Sequence, residues 1–361
     1  MGLATSLFFA LFIYVLLLVI TVEGQIDVDK KVPAIYVFGD STADVGNNKN
    51  LPGISNPADF LPYGIDYPTK KPTGRFSNGY NVIDYLAKHM GFMESPPPYL
   101  PPRNKTWETG VSFASAGSGI LNSTGSGTLS MAKQIEYFAK VRQDIVNKFG
   151  QEQATLLFSK SIFLISSGGN DFFALFSSNI NLKFYYDFIS NYEKHIKELY
   201  NLGARKFALI DVPPVGCIPG ARYVNLKNLT HTDGCLNILN SLVGLVNAGV
   251  RSLLKDLKNS ELRGMEYSIG SSYDLVLDIV NHPHHYGFKK VKKACCGSGS
   301  LNVEMGCDET SPYCSDRDDF LFWDAVHPTM KTAQVAATAF FNNSLQFTTL
   351  ISFKTLVDIG N

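Results

Sequence analysis

Short runs of β-branched and other apolar residues recur along this chain, separated by longer stretches with helical periodicity. This alternation predicts an α/β fold in which a parallel sheet carries helices on both faces. Such a sheet places its ligand site at the carboxyl ends of the strands. The predicted strands are Val32–Phe38, Val111–Ala114, Ile162–Ile165, Phe207–Val212 and Met265–Ile269.

One helix can be checked by its spacing, because its apolar residues fall on a single stripe with a period of 3.6 residues. That stripe contains Met131, Ile135, Phe138, Ile145 and Phe149. Further helices are predicted at Asn78–Met90, Phe184–Leu202, Leu236–Leu257 and Pro328–Phe341. The Pro-rich stretch Pro96–Pro102 brings no change in composition, so it is interpreted as a surface loop inside one domain covering residues 25–361.

The amino terminus has the features of a secretory signal. An unbroken apolar run extends from Leu7 to Ile20, and the first charged residue is Glu23. The run is short for a membrane span, and small residues precede a cleavage point before Gln25. Residues 1–24 are therefore interpreted as a cleaved signal peptide, with no stable membrane insertion afterwards. An uncleaved anchor is the alternative, because no Lys or Arg stands near the start.

The cysteines and glycosylation sequons also predict a secreted, extracellular protein. All six cysteines lie in the carboxyl-terminal half, and an even set after a signal peptide predicts disulfides rather than a metal site. Cys217 with Cys235 is the preferred first pair because they flank one loop after a strand, and the other pairs stay open. Asn-x-Ser/Thr sequons stand at Asn104, Asn122, Asn228 and Asn342.

The charge balance limits the range of partners. The chain has 32 basic and 32 acidic residues, so nothing indicates a nucleic-acid partner. Its Gly-rich clusters contain no phosphate-binding motif, and no cofactor is expected. His282, His284 and His285 form a cluster, but it has no acidic or cysteine partners at metal-site spacing, so no metal site is predicted.

A pattern for nucleophilic catalysis lies near the carboxyl terminus. A serine needs a base that takes its proton, and an acceptor must orient that base. Of the seven histidines, only His327 has an aspartate three positions earlier, Asp324. Pro328 favours an extended His327 and can itself begin the next helix. The alternative is a helix start at which Asp324 is the cap and His327 has no role.

The matching serine is Ser41, directly after the first predicted strand, although a serine there can also cap a helix. The GxSxG elbow of the α/β hydrolases is absent, which disfavours that class. Acyl transfer further needs hydrogen-bond donors for an oxyanion. Gly117 and Asn170 follow the second and third strands and meet that need, although both residue types also form turns.

Four segments together resemble the conserved blocks of the plant GDSL esterase/lipases, within the SGNH hydrolase superfamily. They are Phe38-Gly39-Asp40-Ser41, Gly110-Val111-Ser112-Phe113-Ala114-Ser115-Ala116-Gly117, Gly169-Asn170-Asp171 and Asp324-Ala325-Val326-His327-Pro328. The resemblance extends from Val32 to Ala339. It implies a three-layer α/β/α sandwich with a flavodoxin-like parallel sheet, and a small-molecule or lipid ester as substrate.

The resemblance also implies a role for each site residue. Ser41 becomes the nucleophile and a backbone donor to the oxyanion, with Gly117 as a second backbone donor and Asn170 as the side-chain donor. His327 becomes the general base, oriented by Asp324.

Three positions depart from the family pattern and concern substrate preference more than activity. Thr42 replaces a usual Leu, Ser112 a common Asn and Ala116 a common Gly. Several aromatic residues are candidates for an acyl pocket, although such residues more often form core. They are Phe60, Phe172, Phe173 and Phe176.

Three functions are compatible with the sequence. The first is hydrolysis of a carboxylic ester, and the second is acyl transfer to a hydroxyl acceptor in the same site. The third is that of a catalytically silent secreted binding glycoprotein, which the intact set of site residues disfavours.

Overall fold

The five predicted strands pair in parallel within one sheet of a computed structural model. The structure describes residues 31–54, 58–101, 107–173, 175, 182–342 and 345–360. The predicted signal peptide lies outside the described residues. The strands are β1 (Ile35–Gly39), β2 (Gly110–Ser112), β3 (Ile162–Ser166), β4 (Lys206–Ile210), β5 (Glu266–Gly270), β6 (Lys290–Ala294), β7 (Phe320–Phe322) and β8 (Thr348–Thr349).

The order of the main sheet is β2-β1-β3-β4-β5, with β8 antiparallel at the edge beside β5. The five parallel strands follow the flavodoxin-like order, so the predicted fold class is confirmed. β6 and β7 form a separate parallel pair, which the sequence analysis did not predict.

Helices cover both faces of the sheet. The described helices are α1 (Val82–His89), α2 (Met131–Phe149), α3 (Gln151–Lys160), α4 (Gly169–Phe173), α5 (Leu182–Asn201), α6 (Pro219–Asn228), α7 (Asn237–Asn259), α8 (Ser272–Asn281), α9 (Met330–Phe341) and α10 (Phe353–Asp358). β1 is buried throughout and sends alternate side chains to the two sides. Tyr36 and Phe38 pack with α2, α3, α5 and α7, whereas Ile35 and Val37 pack with α1, α8, α9 and α10.

Helix α9 begins later than predicted. Thr329 accepts a hydrogen bond from Thr332 N and is the N-cap, so Pro328 lies before the helix rather than at its first position. The segment 323–329 is therefore a loop, and it is closed by a hydrogen bond from Trp323 N to His327 O at 2.8 Å. Neither Asp324 nor Ser41 caps a described helix.

All six cysteines are paired. The bond between Cys217 and Cys235 is confirmed, although the segment between them contains α6 instead of forming a single loop. The other two pairs are Cys295–Cys314 and Cys296–Cys307. No helix among the described residues is long and apolar enough to serve as a membrane span.

A buried ion pair anchors the segment between β1 and β2. Arg75 donates from Nε and Nη2 to the two carboxylate oxygens of Asp84, both at 2.8 Å. Their side chains are only 7% and 2% exposed. Asp84 also accepts from Asn81 N and so completes a capping box at the start of α1. Two structural features therefore depend on one carboxylate.

Asp84→Ala is expected to lower the free energy of unfolding by about 3–5 kcal/mol, because it leaves the Arg75 charge buried without a partner. Glu136→Ala is the matched control, since Glu136 pairs with Lys133 at the surface and should leave stability nearly unchanged. Urea unfolding of both variants measures the difference. If both variants had the same free energy of unfolding, the predicted contribution of the buried Arg75–Asp84 pair to stability would be wrong.

Candidate active site

Ser41, His327 and Asp324 form one chain of hydrogen bonds at the carboxyl edge of the sheet. His327 Nε2 lies 2.8 Å from Ser41 Oγ. His327 Nδ1 lies 2.8 Å from Asp324 Oδ2 and 3.0 Å from Oδ1. Ser41 and Asp324 are buried, and His327 is 13% exposed in its side chain. The structure thus brings the three predicted residues together in the predicted order.

The loop after β7 orients the acid and the base locally. Asp324 Oδ1 accepts from the backbone N–H groups of Val326 at 2.8 Å and His327 at 2.7 Å. Burial alone would raise the pKa of Asp324, but the His327 charge and these hydrogen bonds hold it below its usual range. The carboxylate therefore stays ionised beside the imidazole. The ring of Phe76 packs on His327, with centroids 4.8 Å apart.

Gly39, two residues before Ser41, makes an unusually close contact with β3. A Cβ at this position would lie 2.2 Å from Ser166 O, so only glycine fits. The buried Gln134 satisfies both backbone groups of Gly39: its Oε1 accepts from Gly39 N, and its Nε2 donates to Gly39 O, each at 2.9 Å.

Sequence reasoning missed Gln134, although a signal was present. It is a polar residue on the apolar stripe of α2, next to Ile135 and three residues after Met131. A polar side chain on a buried stripe needs a hydrogen-bond partner inside the protein, and here the partner is the backbone of the nucleophile loop.

Two of the three predicted oxyanion donors, Gly117 and Asn170, lie on adjoining elements. Gly117 has a φ of +86°, a conformation that favours glycine, and Asn170 lies in the first turn of α4. Asn170 Nδ2 donates to Ser118 O at 2.8 Å, which orients its amide toward the loop that carries Gly117. Among the described residues, no acceptor pairs with the backbone N–H of Ser41 or of Gly117.

Asp171 fixes this loop to α4, a role that the sequence analysis did not assign. Its carboxylate accepts from Ile120 N at 2.8 Å, Leu121 N at 3.0 Å and Thr124 Oγ1 at 2.7 Å. Burial raises the pKa of Asp171 to about 6, more than these hydrogen bonds lower it. Asp171 therefore holds the Gly117 loop and Asn170 at a set distance.

A largely apolar pocket opens beside Ser41. It lies between the carboxyl ends of the strands and helix α9, and Phe173 contributes to its wall. Phe172 belongs instead to the core with Phe184, and Phe60 packs against Tyr63. Phe176 lies outside the described residues. Other apolar wall residues are Val215, Ile218, Val276, Ala333, Ala336 and Phe340.

The three departures from the family pattern have different surroundings. Thr42 lines the pocket and makes 2.8 Å hydrogen bonds with Asp40 Oδ1 and Ser166 Oγ. Ala116 N donates to the buried Asp44 at 3.1 Å. Ser112 is fully buried in β2. Thr42 is therefore the departure that lines the pocket beside Ser41.

The remaining predicted residues lie at the surface. The sequon residues Asn122, Asn228 and Asn342 are exposed, and Asn104 lies outside the described residues. His282, His284 and His285 lie on an exposed turn, where His282 pairs with Asp278. Within the described ranges, no group of three His, Cys, Asp or Glu side chains could hold a metal ion.

A hydrogen-bonded Ser-His-Asp chain at the carboxyl edge of a flavodoxin-like sheet is an arrangement typical of one class of serine hydrolases. Residues 35–340 match the family model described as GDSL-like Lipase/Acylhydrolase, and the chain belongs to this family.

Relatives from Arabidopsis thaliana align over nearly the full length. The protein named GDSL esterase/lipase At2g04570 is 34% identical over 95% of this chain and 99% of its own. GDSL esterase/lipase At2g42990 is 36% identical over 87% of this chain and 91% of its own. GDSL esterase/lipase At4g26790 is 35% identical over 85% of this chain and 90% of its own.

Proposed function

We propose that this protein hydrolyses carboxylic esters through an acyl-enzyme formed on Ser41. The observation that carries the proposal is the unbroken chain of hydrogen bonds from Asp324 through His327 to Ser41 Oγ. Membership of an esterase and lipase family supports the same reaction.

In the proposed first step, Ser41 Oγ attacks the ester carbonyl while His327 Nε2 takes its proton. Asp324 keeps the Nδ1 proton of the imidazole in place and stabilises the imidazolium. His327 then gives the proton to the leaving alcohol. Water then enters, His327 removes one of its protons, and the water oxygen attacks the acyl carbon. The bond between the acyl carbon and Ser41 Oγ breaks, His327 returns the proton to Ser41 Oγ, and the carboxylic acid leaves.

The proposed oxyanion donors are the backbone N–H groups of Ser41 and Gly117 and the amide of Asn170. The two backbone groups have no acceptor among the described residues, so they are available to a ligand. Donors fixed before the reaction stabilise the developing charge without having to reorganise, which is usually a large part of the rate enhancement.

The apolar pocket beside Ser41 supports an ester with an apolar acyl or alcohol group as substrate. Its walls come from strand ends and from helix α9, so its shape is set by rigid elements. An apolar chain that binds in this pocket is removed from water. The ester group of the substrate would then lie at the polar end of the pocket, next to Ser41.

We also propose that residues 25–361 are a single secreted domain that follows a cleaved signal peptide at 1–24. The three disulfides support an oxidising compartment. The exposure of Asn122, Asn228 and Asn342 supports glycosylation at these positions.

An active-site fluorophosphonate is expected to label the protein once, at Ser41, because the probe reacts with a serine that a neighbouring base activates. Ser41→Ala should abolish both labelling and ester hydrolysis while the protein stays folded. Intact-mass measurement before and after labelling tests this directly. Labelling that survives Ser41→Ala would falsify the nucleophile assignment. A separate assay with added alcohols distinguishes hydrolysis, which yields the free acid, from acyl transfer, which yields a new ester.

Asn170→Ala is expected to lower kcat by about a hundredfold, or ~3 kcal/mol, with KM little changed, because the lost donor acts mainly in the transition state. Asn225→Ala is the matched control. Asn225 is a buried asparagine that is hydrogen-bonded to the 230–234 loop, and it lies outside the candidate active site. Melting temperature and kcat are measured for both. A destabilised Asn170→Ala enzyme with undiminished kcat would limit Asn170 to a structural role.

Ala336→Phe is expected to fill part of the apolar pocket and to lower kcat/KM for long-chain esters at least about tenfold more than for acetyl esters. Gln334→Phe adds the same ring to the exposed side of α9 and should change neither value. Rates on a chain-length series of esters measure the effect. An equal loss on every ester would remove the pocket from substrate binding.

A further inference from the structure

Tyr63 contacts the acid of the proposed triad from a distant part of the sequence. Its hydroxyl donates a hydrogen bond to Asp324 Oδ2 at 2.8 Å, across a separation of 261 residues. Oδ2 is the oxygen that lies closer to His327 Nδ1. Tyr63 is only 2% exposed, so solvent does not replace this bond.

Three aromatic rings pack against the ring of Tyr63. Phe60 packs edge-on with centroids 5.2 Å apart, Phe76 lies at 6.1 Å and Trp323 at 6.2 Å. Trp323 immediately precedes Asp324, and Phe76 also packs on His327. Two of the three rings that contact Tyr63, Phe76 and Trp323, therefore also lie next to the base or the acid.

Hydrogen bonds connect the segment around Tyr63 to the residues on both sides of the loop at 323–329, which is called the catalytic loop below. Gly64 N donates to Ser77 O at 2.9 Å. The Asp66 carboxylate accepts from Arg317 Nη2 at 2.9 Å and from Asn78 Nδ2 at 2.8 Å. Asn78 Oδ1 in turn accepts from Met330 N at 2.8 Å. Arg317 precedes β7 and Met330 begins α9, so both ends of the catalytic loop are held to this segment.

The donors to Asp324 divide between its two oxygens. Oδ1 accepts from the N–H groups of Val326 and His327, while Oδ2 faces His327 Nδ1 and the Tyr63 hydroxyl. His327 and Tyr63 are the titratable groups hydrogen-bonded to this carboxylate among the described residues. A buried carboxylate with a full set of donors has one preferred orientation, whereas a missing donor leaves it free to rotate away from the imidazole.

We propose that Tyr63 is a positioning residue for ester hydrolysis, which holds Asp324 Oδ2 next to His327 Nδ1 and reduces the negative charge that the imidazolium experiences. The inference rests on the proposed function, because it assigns a partner to the proposed triad acid. It requires no contact between Tyr63 and substrate, so binding should not depend on the hydroxyl.

Tyr63→Phe removes the hydroxyl and keeps the ring. We expect kcat to fall roughly tenfold, with KM within about twofold of the wild-type value. The acid limb of the kcat/KM profile should move to higher pH, because an unshared carboxylate charge stabilises the protonated base more strongly. All three are measured from rates of the intact protein on a soluble ester across a range of pH.

Tyr36→Phe is the matched control. Tyr36 is equally buried, and its hydroxyl donates to Trp107 O at 3.2 Å. Its ring packs against Phe138 of α2 and Phe158 of α3, in the core and not beside Asp324. It should lose a comparable amount of thermal stability and keep the wild-type kcat and pH profile. If Tyr63→Phe and Tyr36→Phe lower the melting temperature equally and neither changes kcat or the acid limb, the inference is overturned.

A double-mutant cycle with Asp324→Ala tests whether Tyr63 acts through the carboxylate, with the rate of fluorophosphonate labelling as the readout. We expect Tyr63→Phe to have no further effect once Asp324 is absent, and an undiminished further loss would overturn the inference. A wild-type protein that neither labels nor hydrolyses esters would instead refute the proposed function. The two failures are therefore distinguishable.

Discussion

The close approach of β1 and β3 at Gly39 is the constraint on which the rest of the site depends. Only a hydrogen atom fits between Gly39 Cα and Ser166 O. Gly39 O also accepts from Ser115 N, Ser118 Oγ and Gln134 Nε2. One peptide unit therefore joins β1, the loop after β2 and helix α2. The serine and the loop that carries Gly117 receive their relative positions from this junction.

The layout of the site was largely predictable because it follows from strand order. Parallel strands end at one edge, so polar residues after β1, β2 and β3 must lie near one another. The Asp324–His327 spacing is equally local, since an aspartate that accepts from the N–H groups two and three residues later needs only a short loop. The alternative, with Asp324 as a helix cap, fails because Thr329 caps α9.

Most of the remaining features depend on contacts between distant parts of the chain, which periodicity does not encode. Tyr63 precedes Asp324 by 261 residues, and nothing in the local pattern of either segment points to the other. The small β6–β7 pair joins segments about 30 residues apart, and its register is irregular. The start of α9 was misplaced because Pro328 is a favourable first helical residue, but Thr329 supplies a better cap.

The separation of 286 residues between Ser41 and His327 has a consequence for the order of synthesis. The ribosome completes the proposed nucleophile and all three oxyanion donors long before it reaches the proposed base. If the proposed triad is correct, a chain that ends before His327 would carry a serine without its base and would hydrolyse esters far more slowly. The proposed triad would be complete only after the loop at 323–329 has packed against Ser41 and Tyr63, so ester hydrolysis would report that the chain has folded beyond this loop.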